Sequence, residues 1–185
     1  MRLLTRSSLI LLCYALGAAL GGGLYESIVL VPLWSKSPPA SFAIIQPGTG
    51  VPLQSFWIPV HVAITLFMVA ALAFTWRDRR VRRWLLAGAA SYVVMRAWSA
   101  VFFIPEMLAF QQIPAGAPPS SELDMRVASW IFWTVFREPL DVFTFLCALL
   151  ALHWFKGRRM RQRRRSHDIA AARHRLLAHQ RACAW

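Results

Sequence analysis

The sequence predicts an all-α integral membrane protein: a bundle of four transmembrane helices with both termini cytoplasmic and a basic C-terminal tail. Three observations predict it. The 185 residues are 57% hydrophobic with a mean hydropathy of +0.45, too apolar for an ordinary soluble domain of this length. Four apolar runs, at about 7–34, 56–76, 84–105 and 126–155, are each long enough for a bilayer, which takes about 20 residues of helix. The positive charge alternates between the connections. Arg2 and Arg6, five arginines between Trp76 and Trp84, and ten Lys or Arg after residue 155 fall on one side, while Lys36 and Arg126 are all that the other side holds. Lys and Arg accumulate on the cytoplasmic face, which places both termini there and the two Pro-rich loops outside. Residues 1–155 are thus the bundle and 156–185 the tail.

The first run starts after Arg2 and Arg6 and continues to Trp34. A basic start followed by Ala15-Leu16-Gly17 or Ala19-Leu20-Gly21 also suits a cleaved signal peptide, but the run goes on well past both sites, which favours a span. Gly17, Gly21, Gly22 and Gly23 offer a surface without side chains where a second helix can come close. Residues 35–55 read as a loop of Ser, Pro and Gly. The second run is predicted from Phe56 to Trp76, with Pro59 in its first turn. The third runs from Trp84 and stops at Pro105-Glu106. A second Pro-rich loop leads to Ser121-Glu-Leu-Asp124, a helix start with Ser121 as cap, and the fourth run ends at Phe155. Trp34, Trp57, Trp76, Trp84 and Trp154 fall at predicted span ends, as in an interfacial aromatic belt.

The tail holds +9 of the net +13 charge. Directly after a span, such a segment reads as a binder of anionic lipid headgroups, with 168–182 a short helix on the membrane surface. No nucleic-acid recognition motif accompanies it, so nucleic acid is not expected as a partner. Cys13, Cys147 and Cys183 are isolated and form neither a disulfide framework nor a zinc pattern.

Function is sought where apolar runs carry charge, because an ionised group in lipid costs several kcal/mol and faces the bundle interior. The densest stretch is Trp130 to Asp141, with Arg137, Glu138 and Asp141 around Pro139. Counted at 1.5 Å per residue from the outer boundary, His61 and Glu106 lie within roughly 6 Å, Glu26 about 10 Å in, and Arg96 and Arg137 about 14 Å in, with Asp141 deeper. On the third helix Tyr92, Arg96, Ser99, Phe103 and Glu106 share one face; on the fourth Trp130, Trp133, Thr134, Arg137 and Asp141 do. Arg137, Glu138, Arg96 and Glu26 are the candidate catalytic set, and Trp130, Thr134, Tyr25, His61, Tyr92, Asp141 and Glu106 the candidate ligand-binding set. Glu26, His61, Glu106 and Glu138 are metal-ligand types, but no Glu/His pair at i, i+3 occurs, and no metal is expected.

The order of Tyr25-Glu26, Pro32-Leu-Trp34, Ser37-Pro-Pro39, Phe56-Trp-Ile-Pro59, Arg83-Trp84, Phe103-Ile-Pro-Glu106, Trp130 and Arg137 resembles the DUF1772, anthrone oxygenase-like group of small bacterial membrane proteins, over residues 10–155. The resemblance implies a bacterial inner-membrane location and oxidation of an anthrone to an anthraquinone without a cofactor. It also implies a Trp-x-x-x-Asn-x-x-Arg pattern on the last helix, where Trp130 and Arg137 match and Thr134 replaces the Asn. The expectation is a polar pocket opening outward that binds or oxidises a small aromatic or quinone-like ligand. A non-catalytic assembly protein, whose buried charges only fix helix packing, is the alternative.

Overall fold

The computed structural model describes residues 2–182, with side chains for residues 3–156. Among these residues there is no strand. Helix α1 spans Arg2–Tyr25, passes through a π-helical turn at Glu26–Leu30 and continues as α2, Val31–Ser35. A 3₁₀ segment at Ala40–Ile44 leads to α3, Leu53–Thr75. Helix α4, Arg79–Trp98, passes through a second π turn at Ser99–Phe103 into α5, Ile104–Gln112. The last helix, α6, spans Ser121–Ala182 without a break. The basic tail beyond Lys156, with its expected lipid contacts, has its side chains outside the described residues.

Three helical stretches are long and apolar enough to cross a membrane: Leu3–Ser35, Leu53–Thr75 and Arg79–Gln112. Helix α1 packs on α3 and α6, and α4 packs on α6 and more lightly on α3. The glycines of α1 serve this packing unequally. A Cβ on Gly22 would collide with the Phe56 ring of α3, and one on Gly17 would touch Phe145 of α6, whereas Gly21 faces nothing. Gly88 does the same for α4 against α6, where a Cβ would stand 3.0 Å from Cys147 Cβ.

Both π turns lie six residues before a proline, Glu26 before Pro32 and Ser99 before Pro105. Their bonds run i→i−5, from the Val31 N–H to the Glu26 carbonyl and from the Ile104 N–H to the Ser99 carbonyl. A proline lacks the N–H that would extend the α-helical ladder, and a widened turn upstream keeps the helix continuous without it. Each π turn also inserts about one extra residue, which rotates everything after it by about 100° relative to an unbroken α-helix.

The buried side chains form two cores. The first, between α1, α3, α4 and the later part of α6, contains Leu9, Leu12, Leu16, Ile64, Met68, Leu85, Met95 and Ala148. The second unites α2, the 3₁₀ segment, the second π turn, α5 and the start of α6 through Trp34, Phe42, Phe103, Phe110 and Trp130. Its rings meet tilted or edge to face at 5.3–6.1 Å, geometry that adds about 0.5–1.5 kcal/mol per pair beyond area.

This second core corrects several expectations. Residues 35–55 are a packed segment, with Phe42 and Ile45 buried, rather than an open loop. Trp34 is fully buried at the centre of that core. Trp76 and Trp154 remain exposed, each beneath an arginine, Arg82 at 5.1 Å and Arg80 at 5.2 Å. The basic block is mostly helical: Asp78 caps α4 by accepting from the Arg80 and Val81 N–H groups. Pro59 lies inside α3, which starts at Leu53. The hydroxyl that accepts at the start of α6 belongs to Ser120, bonded to the Leu123 N–H.

Candidate functional site

Between the two cores lies a cavity of about 520 Å³, within the usual range of a small-molecule pocket. Helix α1 and its π turn supply Ala19, Gly23 and Glu26; the first half of α3 supplies Trp57, Ile58 and His61. Helix α4, the second π turn and α5 supply Met95, Arg96, Ser99, Phe103 and Met107, and α6 supplies Trp130, Arg137, Glu138 and Asp141. All four candidate catalytic residues therefore converge on one space, together with Trp130, His61 and Asp141.

Tyr25, Thr134, Tyr92 and Glu106 stand outside this wall. Tyr25 is 58% exposed and does not line the cavity. Thr134 is buried but spends its hydroxyl on the Trp130 carbonyl one turn back, at 2.9 Å. Tyr92 lines a neighbouring hollow on the α3–α4 surface, with its Oη 3.1 Å from His61 Nδ1. Glu106 accepts from Arg126 Nε and Nη2 at 3.1 and 3.0 Å. The face expected for Glu106 presumes an unbroken α-helix from Arg96. The π turn at Ser99–Phe103 adds the residue that carries Glu106 off that face, and Met107 lines the cavity in its place.

Two of the carboxylates are held by neutral donors. Trp57 Nε1 donates to Glu26 Oε2 at 2.8 Å, and the Ser27 hydroxyl donates to Glu138 Oε1. These bonds join α1 to α3 and α6, so Glu26 and Glu138 help to fix helix packing as well as to line the space. Neither Trp57 nor Ser27 is legible as a site residue in the sequence, because Trp57 reads as a belt tryptophan and Ser27 as one small residue in an apolar run. Trp57 also stacks on His61, with ring centroids 5.5 Å apart and planes 19° from parallel.

The arginines are held differently. The ion pair between described side chains is Arg126–Glu106, away from the cavity. Arg137 instead sets its Cζ 4.5 Å from the Phe103 ring centroid, and its buried Nε has no hydrogen-bond partner. A buried guanidinium donor without a partner costs about 1–3 kcal/mol or more. Phe103 is fixed in turn by Trp130, whose Nε1 donates to the Phe103 carbonyl at 3.2 Å. Arg96 reaches the same space from α4. Glu26, Glu138 and Asp141 line the same cavity as Arg137 without a direct ion pair to it. The described residues contain no group of three His, Cys, Asp or Glu side chains close enough to hold a metal ion.

The site is thus an apolar and aromatic enclosure with two guanidiniums, three carboxylates and one imidazole on its walls. Its Arg137 Nε is a donor left without a partner, which suits a ligand that brings an oxygen. No protein family, curated protein or solved structure was found to match this chain.

Proposed function

We propose that the protein is a four-span membrane protein, with both termini cytoplasmic, whose cavity binds a small aromatic or quinone-like ligand by its oxygen. The observation that carries the reading is that Arg96 and Arg137 line the cavity while the ion pair between described side chains lies elsewhere, at Arg126–Glu106. Charges retained only to lock helices together would pair with each other. Three carboxyl groups line the cavity beside the two guanidiniums. A carbonyl or phenol oxygen therefore fits the unpartnered Arg137 donor better than a second full anion.

The resemblance to the anthrone oxygenase-like group adds a reaction to this binding site. A guanidinium on the oxygen of a phenol or an enolisable ketone stabilises the anion formed when the proton leaves, and Glu138 or His61, lining the same cavity, would receive that proton. Moving a proton from ligand to carboxylate leaves the net charge of the site unchanged, which the low-dielectric surroundings favour.

The packing role keeps one specific support, the Ser27–Glu138 and Trp57–Glu26 bonds across helices. The test therefore targets the arginines. Purified Arg137→Met protein, in lipid nanodiscs and with unchanged helical circular dichroism, is expected to bind a naphthoquinone about 10- to 100-fold more weakly than wild type, the worth of one hydrogen bond to a charged group. Equal binding by Arg137→Met and wild type would overturn the proposal.

A further inference from the structure

Resting on the ligand site proposed above, we infer that its ligand is an amphiphile with an apolar chain, entering from the bilayer between α3 and the stretch formed by the second π turn and α5. The oxygen-bearing head occupies the cavity. The chain leaves sideways and lies along the outer face of α3 and α4.

The seams around the cavity differ. That between α1 and α6 is crossed by the Ser27–Glu138 bond, and that between α1 and α3 by Trp57–Glu26. Between the second π turn or α5 and α6, the Trp130–Phe103 and Arg126–Glu106 bonds close the wall. No hydrogen bond among the described residues joins α3 to the second π turn or to α5, and their packing contact is at most marginal. The cavity residues on the two sides of this seam, Ile58 and Val62 against Ile104 and Leu108, are 62%, 53%, 43% and 44% exposed. All four lie inside stretches long and apolar enough to span a membrane. At that position exposed means facing hydrocarbon, so this seam opens to lipid. The lining also continues to Leu53, Gln54 and Gln111 at the ends of α3 and α5.

A second, shallower hollow of about 690 Å³ continues from this mouth down the α3–α4 surface. It shares His61, Val62 and Arg96 with the cavity and extends it past Leu66 and Val93, both 63% exposed. A chain lying there would cover apolar side chains while the head reaches Arg137. A chainless ligand leaves this track to lipid.

The test compares menadione with the same naphthoquinone head bearing a short isoprenoid chain, for wild type and for Leu66→Phe and Val93→Phe proteins in nanodiscs. Binding is read as quenching of intrinsic tryptophan fluorescence, with Arg137→Met as the baseline for quenching from bulk lipid. The chain is expected to tighten binding at least tenfold in wild type, after correction for partitioning into lipid, and either groove-filling variant to bring the ratio of the two Kd values towards one. If both ligands bind equally and Arg137→Met abolishes both, the lateral chain is wrong while the head site stands. If neither ligand quenches the tryptophan fluorescence beyond the Arg137→Met baseline, both readings fall together. A chain advantage that survives both variants overturns the α3–α4 track.

Discussion

At the residue scale, the charges buried in this chain divide by what holds them. Glu26 and Glu138 accept from Trp57 and Ser27 across helix seams, whereas Arg137 rests on a phenyl ring with its Nε unpartnered. Removing a donor from a buried carboxylate leaves that carboxylate unsatisfied, so Ser27→Ala is expected to cost about 1–3 kcal/mol. Thermal unfolding in detergent would register this as a lower midpoint. Arg126→Ala breaks an ion pair whose side chains are 37% and 29% exposed, and should cost less than about 1 kcal/mol by the same measurement. A larger loss for Arg126→Ala than for Ser27→Ala would contradict the assignment. The sequence disclosed the charges themselves, because an ionised residue in an apolar run stands out whatever its partner. It concealed the partners, since Ser27, Trp57 and Phe103 are ordinary residues of such a run and acquire a role only through contacts with residues far away along the chain.

At the element scale, the two π turns decide which side chains face the cavity. The third-helix stripe holds as far as Ser99 and Phe103 and fails at Glu106, because helical spacing is counted on a regular period and the turn at Ser99–Phe103 breaks it. The proline six residues on is visible in the sequence; but Pro59 and Pro139 lie inside α3 and α6 without a π turn, so proline alone does not announce one. Deleting Val101, an 80% exposed residue of that turn, should let the segment close to regular α-helix and rotate α5 back by about 100°. Glu106 would then leave Arg126 and Met107 would leave the cavity. Ligand binding is expected to fall at least tenfold with helical circular dichroism retained, and undiminished binding would show that the turn does not position the wall. Tight helix contact makes a separate prediction. Gly88→Val must push against Cys147 and the Thr144 carbonyl, so overpacking of about 1–3 kcal/mol is expected in unfolding measurements.

At the scale of the whole molecule, hydropathy and charge sufficed for the coarse answer, an all-helical chain with several apolar helices long enough to enter a bilayer. They did not reveal the second core. Trp34, Phe42 and Phe110 come from stretches that read as interface or loop, and only their meeting with Phe103 and Trp130 forms that core. The proposed orientation has a direct consequence. In a background without native cysteines, Ala117→Cys should react with a membrane-impermeant maleimide in intact cells, and Arg77→Cys only after permeabilisation. The reverse pattern would invert the topology.

The central claim is that the space between the two cores, ringed by Glu26, Arg96, Arg137 and Glu138, holds a ligand. Photo-crosslinking of a diazirine-bearing naphthoquinone to the nanodisc-embedded protein, followed by mass-spectrometric mapping, addresses it most directly. The account predicts adducts on Met95, Met107 and Trp57 that are competed by unlabelled quinone and lost in Arg137→Met. Adducts confined to lipid-facing residues such as Val69 and Phe132, which are 62% and 56% exposed, and insensitive to competition would contradict it.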